Sequence, residues 1–177
     1  MATLYTIGHS TRSFDELVRA LAGHGVSTLV DVRSFPMSRR LPHFNRESLE
    51  THLPANGIRY MWMKELGGRR KKIRNDSPNL ALRNQSFRNY ADYMMTEEFG
   101  RGIERLLQIA EHDKTAYMCA ERVYFQCHRM LISDFLTANG HTVLHIDDEK
   151  RPLREHKMMA EARLVDGKMV YDGGMLL

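Results

Sequence analysis

Thr115-Ala116-Tyr117-Met118-Cys119-Ala120-Glu121, followed after five residues by Cys127-His128-Arg129-Met130-Leu131-Ile132, is the stretch that decides the fold. Its first five residues are an apolar run of strand length that ends in a thiol. From Arg129 to Thr137, Leu131, Ile132, Phe135 and Leu136 recur at helical spacing. Asn139-Gly140 stops that helix, and Thr142 to Ile146 reads as the next strand. Strand, loop, helix and strand in that order form a parallel crossover unit, and the rest of the chain repeats the alternation.

Toward the amino terminus, residues 4–8 (Leu-Tyr-Thr-Ile-Gly) read as a first strand. Ser13 and Glu16 offer a capping box for a helix with Phe14, Leu17, Val18, Leu21 and Ala22 on one face, ended by Gly23 and Gly25. Residues 28–32 form a β-branched second strand. Asn45 can cap a helix carrying Leu49 and Leu53, which Pro54 and Gly57 end, and Ile58 to Trp62 is a third strand. Periodicity is lost from Gly67 to Gln85. Two helices are predicted beyond it, one with Phe87, Tyr90, Ala91, Met94 and Met95 inward and one with Phe99, Ile103, Leu106, Leu107 and Ala110, parted near Gly100 and Gly102. Asp166-Gly167 between apolar runs signals a small hairpin in the tail.

The expected fold is α/β: one domain over residues 1–177, a Rossmann-like parallel sheet of about five strands with helices on both faces. Residues 146–177 form a C-terminal tail with the hairpin. The common strand order 3-2-1-4-5 would make the first and fourth strands neighbours and place ligands outside their carboxyl ends.

With 177 residues and 42% hydrophobic content the chain can build a core without cross-links, and two cysteines make no disulfide framework. The amino terminus lacks a leader pattern and no apolar run is long enough to span a bilayer, so the expected location is cytoplasmic, without membrane attachment. Net charge is +4, and five of the six residues from Arg69 to Arg74 are Lys or Arg. Such a field favours an anionic small molecule or nucleic acid; it equally suits a solvated basic loop. Nothing in the pattern sets the oligomeric state.

Three polar clusters then fall at strand ends: Gly8-His9-Ser10, Asp31-Val32-Arg33 and Cys119-Ala120-Glu121. Cys119 is the candidate nucleophile, its thiol ionised by the helix start with His128 or Arg129. His9 and Glu121 are candidate acid–base or orienting groups. Ser10, Asp31, Arg33, Arg39, His43, Cys127, His128 and Arg129 are candidate substrate contacts, with Arg33 and Arg129 binding an anion, though Asp31 and Arg33 can equally form an internal ion pair. The alternatives for Cys119 are a buried structural thiol, a disulfide partner of Cys127, or a zinc ligand with Cys127, His128 and His9. An eight-residue cysteine spacing lacks the usual zinc knuckle, so no metal and no cofactor are expected.

Taken together, Thr6-Ile7-Gly8-His9-Ser10, Leu29-Val30-Asp31-Val32-Arg33, Pro36 with Ser38-Arg39-Arg40, Phe44-Asn45, Gly57-Ile58-Arg59-Tyr60, Leu66-Gly67-Gly68, Tyr90-Ala91-Asp92-Tyr93-Met94, Cys119-Ala120-Glu121 and Cys127-His128-Arg129 resemble the DUF488 family, a domain of unknown function. The resemblance covers nearly the whole chain. It implies an α/β fold and a shared pocket, without an activity to carry over. Where that family commonly has proline between the cysteines, this chain has Tyr124-Phe125. A fainter similarity is to rhodanese and cysteine-phosphatase domains, whose Cys-to-Arg interval is shorter. The expected function is an enzyme acting on a phosphorylated or nucleic-acid-derived substrate; the alternatives are a nucleic-acid-binding module and a thiol redox or metal sensor.

Overall fold

Strand β1 (Thr3–Gly8) leads into helix α1 (Phe14–Gly23), whose capping box closes as its sequence requires: Glu16 N–H donates to Ser13 Oγ, and Ser13 N–H to the Glu16 carboxylate. Strand β2 (Thr28–Asp31), helix α2 (Arg46–His52) and strand β3 (Arg59–Trp62) follow. Asn45 precedes α2, but its side chain does not cap it; Oδ1 accepts from Ser38 N–H at 2.6 Å and ties down the loop after β2 instead. Helices α3 (Gln85–Tyr93) and α4 (Glu97–His112) precede β4 (Thr115–Cys119), α5 (Arg129–Ala138) and β5 (Thr142–His145). The computed structural model describes residues 1–174 of the chain.

The break between α3 and α4 falls at residues 94–96, where Thr96 caps α4, and not at Gly100 and Gly102. Both glycines are helical. Gly102 is needed for packing, since a Cβ there would come within 2.9 Å of the Leu66 side chain. A short β6 (Arg154–Glu155), not anticipated, pairs antiparallel with β5 and makes the sheet six-stranded. Strands β7 (Ala162–Val165) and β8 (Lys168–Tyr171) form the expected hairpin, with Asp166 and Gly167 both at positive φ as a type I′ turn demands.

The sheet order is β3-β2-β4-β1-β5-β6, with β1 to β5 mutually parallel. The expected order is therefore corrected: β4 lies between β2 and β1. The first and fourth strands are neighbours as predicted, but β4 inserts on the β2 side because the long connection through residues 63–114 can carry the chain back across β2 before it pairs. Helices α1 and α2 bury Leu17, Leu21, Leu49 and Leu53 on one face of the sheet with Ile7, Leu29 and Met118. On the other face α3, α4 and α5 bury Tyr90, Phe99, Leu106, Leu131 and Ile132 with Leu4, Val30 and Tyr117.

Residues 67–84 contain no helix or strand, yet they are pinned. Ser77 and Asn79 side chains donate to Asp92 Oδ1 at 2.6 and 2.8 Å, and Tyr171 N–H donates to Asn79 Oδ1 at 2.9 Å, fastening the segment between α3 and the hairpin.

Candidate functional site at the carboxyl edge of the sheet

Strand alternation decides which groups meet. In β1, Thr6 and Gly8 face the side covered by α5, and His9 continues the alternation toward the α1–α2 side, where its ring packs against Phe44 at 4.4 Å. Gly8 is the register partner of Cys119. The chain leaving β4 folds directly over it, and a Cβ on residue 8 would lie 1.8 Å from the Glu121 carbonyl oxygen. Glycine is required because backbone occupies the place of a side chain.

That close approach builds the thiol site. The Cys119 and Cys127 sulfurs are 3.0 Å apart. Arg129, only 1% exposed, donates from Nε to Cys119 Sγ at 3.0 Å and to Cys127 Sγ at 3.4 Å. Its other donors go to Thr6 Oγ1 and to the carbonyls of Glu121 and Arg122. Among the described residues none reaches a carboxylate. A guanidinium stays charged, and an uncompensated charge in the interior is costly, so the cysteine pair is the group that supplies the opposite charge. Burial, the largest influence on both thiols, favours protonation. At Cys127 it is outweighed by the hydrogen bond from Cys119, by His128 and by the Arg129 charge, and its pKa falls well below that of an ordinary thiol. Cys119 is pushed up by burial and by its hydrogen bond with Cys127. The Arg129 backbone N–H at the start of α5 also points at Cys127 Sγ, 3.4 Å away.

Behind Arg129 runs a buried polar chain that motif reading missed. Thr6 meets His145 Nδ1 at 2.8 Å, His145 Nε2 meets His156 Nδ1 at 3.0 Å, and His156 Nε2 meets Asp134 at 2.7 Å. Tyr171 closes it, donating to Asp134 at 3.0 Å. A neutral imidazole offers one donor and one acceptor nitrogen, so His145 links Thr6 to His156 through both faces of its ring. Burial first, then the neighbouring His156, lowers the His145 pKa to about 3, which keeps it neutral. Thr6, Asp134, His145, His156 and Tyr171 are scattered over three strands, a helix and a loop, so no local motif signals them; polar residues inside the apolar runs of β1, α5 and β5 are the trace they leave.

The opposite face holds the Asp31–Arg33 pair. Arg33 donates from Nε and Nη2 to the two Asp31 carboxylate oxygens at 2.8 and 2.6 Å, from Nη2 to the Phe44 carbonyl, and from Nη1 to His9 Nε2 at 3.2 Å. Tyr60 donates to Asp31 at 2.5 Å. His9 Nδ1 donates to the Ser10 carbonyl, and Ser10 takes a left-handed conformation with φ 50°. Burial lowers the His9 pKa to about 4, with Arg33 adding to it. Of the two readings of Asp31 and Arg33, the internal ion pair is the one observed, and it engages His9 as an acceptor.

A cavity of about 500 Å³ brings Cys119, Cys127, Glu121 and His128 together with Arg33, and its rim adds Phe35, Met37, Arg69 and Phe87. His128 donates to the Val32 carbonyl at 2.8 Å and lies beneath Gly68, where a Cβ would come within 2.5 Å of its ring. Glu121 is exposed and acts here through its carbonyl. Ser10, Arg39 and His43 do not line the cavity. Arg39 is exposed, and His43 binds the Arg12 carbonyl and packs on Phe44. In the basic segment, Arg70 lies 3.6 Å over the Tyr93 ring and donates to the Lys64 and Gly67 carbonyls, while Arg74 pairs with Asp76. Two of the five cations are thus structural. Among the described residues no cluster of His, Cys, Asp and Glu could hold a metal, and no helix is long and apolar enough to cross a membrane.

No curated protein and no solved structure matches the chain. A family model does, over residues 13–136, which take in β2 through β4, both cysteines and nearly all of α5. By that match the chain belongs to the family described as domain of unknown function DUF488.

Proposed function

We propose that the chain is a dithiol enzyme in which the Cys127 thiolate attacks a small substrate and Cys119 resolves the adduct. The observation that carries this reading is the pair of sulfurs 3.0 Å apart on the wall of an open cavity, held by a buried arginine that has no carboxylate partner among the described residues. A hydrolase or phosphoryl-transfer enzyme would need a base for water and a cradle for the anion. His9 lies on the other face of the sheet, and the donors of Arg33 and Arg129 are directed largely to internal acceptors. Two-thiol chemistry needs only the second sulfur within reach.

The step balances with a disulfide-type substrate RS–SR′. Cys127 S⁻ attacks one sulfur, forming a mixed disulfide and expelling R′S⁻. Cys119 then loses its proton and attacks Cys127 Sγ, expelling RS⁻ and leaving a Cys119–Cys127 disulfide. The substrate gains two electrons and, in water, two protons; an external thiol restores the pair. Arg69 at the rim and the apolar Phe35, Met37 and Phe87 suit a substrate with an anionic group and an apolar body.

The test uses oxidised glutathione and mass spectrometry of the reduced protein. Wild type is expected to release both halves as thiols and to end with two hydrogens fewer. Cys119→Ser is expected to stop at the mixed disulfide, and Cys127→Ser not to react. A wild-type protein that stops at the mixed disulfide, or a Cys127→Ser protein that reacts as fast as wild type, overturns the assignment.

A further inference from the structure

A second cavity, of about 550 Å³, lies between the Arg122–Tyr124 segment and the connection from β5 to β6, across the Glu121–Arg122 turn from the thiol pair. Its charged lining is Arg122, Arg151, Arg154 and Asp147, with Arg129 and His145 set into the wall. Arg129 and His145 are committed to the buried polar chain, so the available charge belongs to the other three arginines. Asp147 is the one carboxylate of the lining, and it is already shared: Arg122 approaches it at 2.8 Å, Arg151 pairs with it, and Arg12 reaches it from behind at 3.9 Å; Arg151 also pairs with Asp148, just outside the lining, at 3.4 Å. Arg154 has no side-chain hydrogen bond or ion pair among the described residues.

Two carboxylates, Asp147 and Asp148, thus stand against the guanidiniums of Arg12, Arg122, Arg151 and Arg154 around a concave, partly apolar space, and a cleft of that kind concentrates a positive field. A carboxylate offers two acceptor oxygens. A terminal phosphate offers three and carries more charge, which suits guanidiniums that remain unsaturated. Tyr124 stacks on His145 with centroids 3.6 Å apart and planes 5° from parallel, a rigid floor, and Leu153 and Pro152 supply an apolar wall.

We propose that this cavity is a binding site for a small phosphate-bearing molecule, its phosphate held by Arg154 together with Arg151 and Arg122. The site is separate from the thiol cavity and does not depend on the chemistry assigned there.

The test is calorimetric titration of the full chain with inorganic pyrophosphate at low and high salt. Binding that weakens with salt is expected. The Arg151→Ala/Arg154→Ala double variant is expected to lose roughly tenfold or more in affinity, the order of a lost charge-assisted contact, while Arg69→Ala at the thiol cavity binds as wild type does. Both replaced side chains are exposed, and a thermal melt of the double variant separates loss of the site from loss of the fold. No binding at millimolar pyrophosphate, loss of binding in Arg69→Ala alone, or binding of a single-stranded oligonucleotide without binding of pyrophosphate overturns the proposal.

Discussion

Two buried arginines stand at the same edge of one sheet and are neutralised in different ways. Arg33, 8% exposed, has a bidentate carboxylate partner in Asp31, itself held by Tyr60. Arg129, more deeply buried, has two sulfurs, a hydroxyl and two carbonyls. A carboxylate is charged throughout the neutral range and makes a fixed pair, whereas a thiol is charged only when the arginine is there to favour it. One face of the sheet therefore carries a permanent structural ion pair, and the other a charge that depends on the protonation of the thiols.

The largest expected effect breaks the fixed pair. Asp31→Asn leaves Arg33 buried without its counter-charge and is expected to cost about 3–5 kcal/mol in urea unfolding, with no change in the alkylation rate of the thiols. Acidification tests a property that both faces share, because His9 and His145 are held neutral with pKa near 4 and 3. Below the unfolded value of about 6.5 the unfolded chain takes up protons that the folded chain refuses, so stability rises with pH across this window. Between about pH 6.5 and pH 5 each histidine is expected to remove up to about 2 kcal/mol, and replacing His145 with Gln to remove its share of the slope.

Arg129→Gln sharpens the contrast. Without the guanidinium both thiols can take up protons, so no charge is stranded, and the expected stability loss, about 2 kcal/mol, is smaller than for Asp31→Asn. The readout specific to the thiol face is alkylation by iodoacetamide at neutral pH, expected to slow by roughly tenfold or more as the Cys127 pKa returns toward that of an ordinary thiol. A variant that alkylates as fast as wild type would mean that the sulfurs do not answer to Arg129. The smallest effect lies farthest along the buried chain. His156→Gln is expected to cost about 1 kcal/mol and to shift the alkylation rate only modestly, since Arg129 retains its contacts with the sulfurs and the carbonyls.

Much of the fold was legible because it rests on local chemistry. The Ser13–Glu16 capping box, the apolar runs of β1, β2 and β4, the Asn139–Gly140 stop and the Asp166–Gly167 turn each act within a few residues. The misreadings have equally particular causes. Gly100 and Gly102 suggest a break, whereas Thr96 supplies the cap four residues before Gly100, and Gly102 serves contact with Leu66. His9 and Cys119 both follow strand ends, but residue-by-residue alternation sends His9 to the opposite face and leaves Thr6 of the same strand beside Arg129.

The sequence by itself determined the alternation of strands and helices and the strand-end positions of the three polar clusters, because these follow from periodicity and from residues close along the chain. Only the tertiary structure decided that β4 lies between β2 and β1, that the Glu121 carbonyl takes the space above Gly8, and that both sulfurs meet Arg129 where the described residues offer it no carboxylate. Each of those depends on which distant segments come into contact, and neutralising a buried charge is a matter of neighbours in space, which no spacing along the chain records.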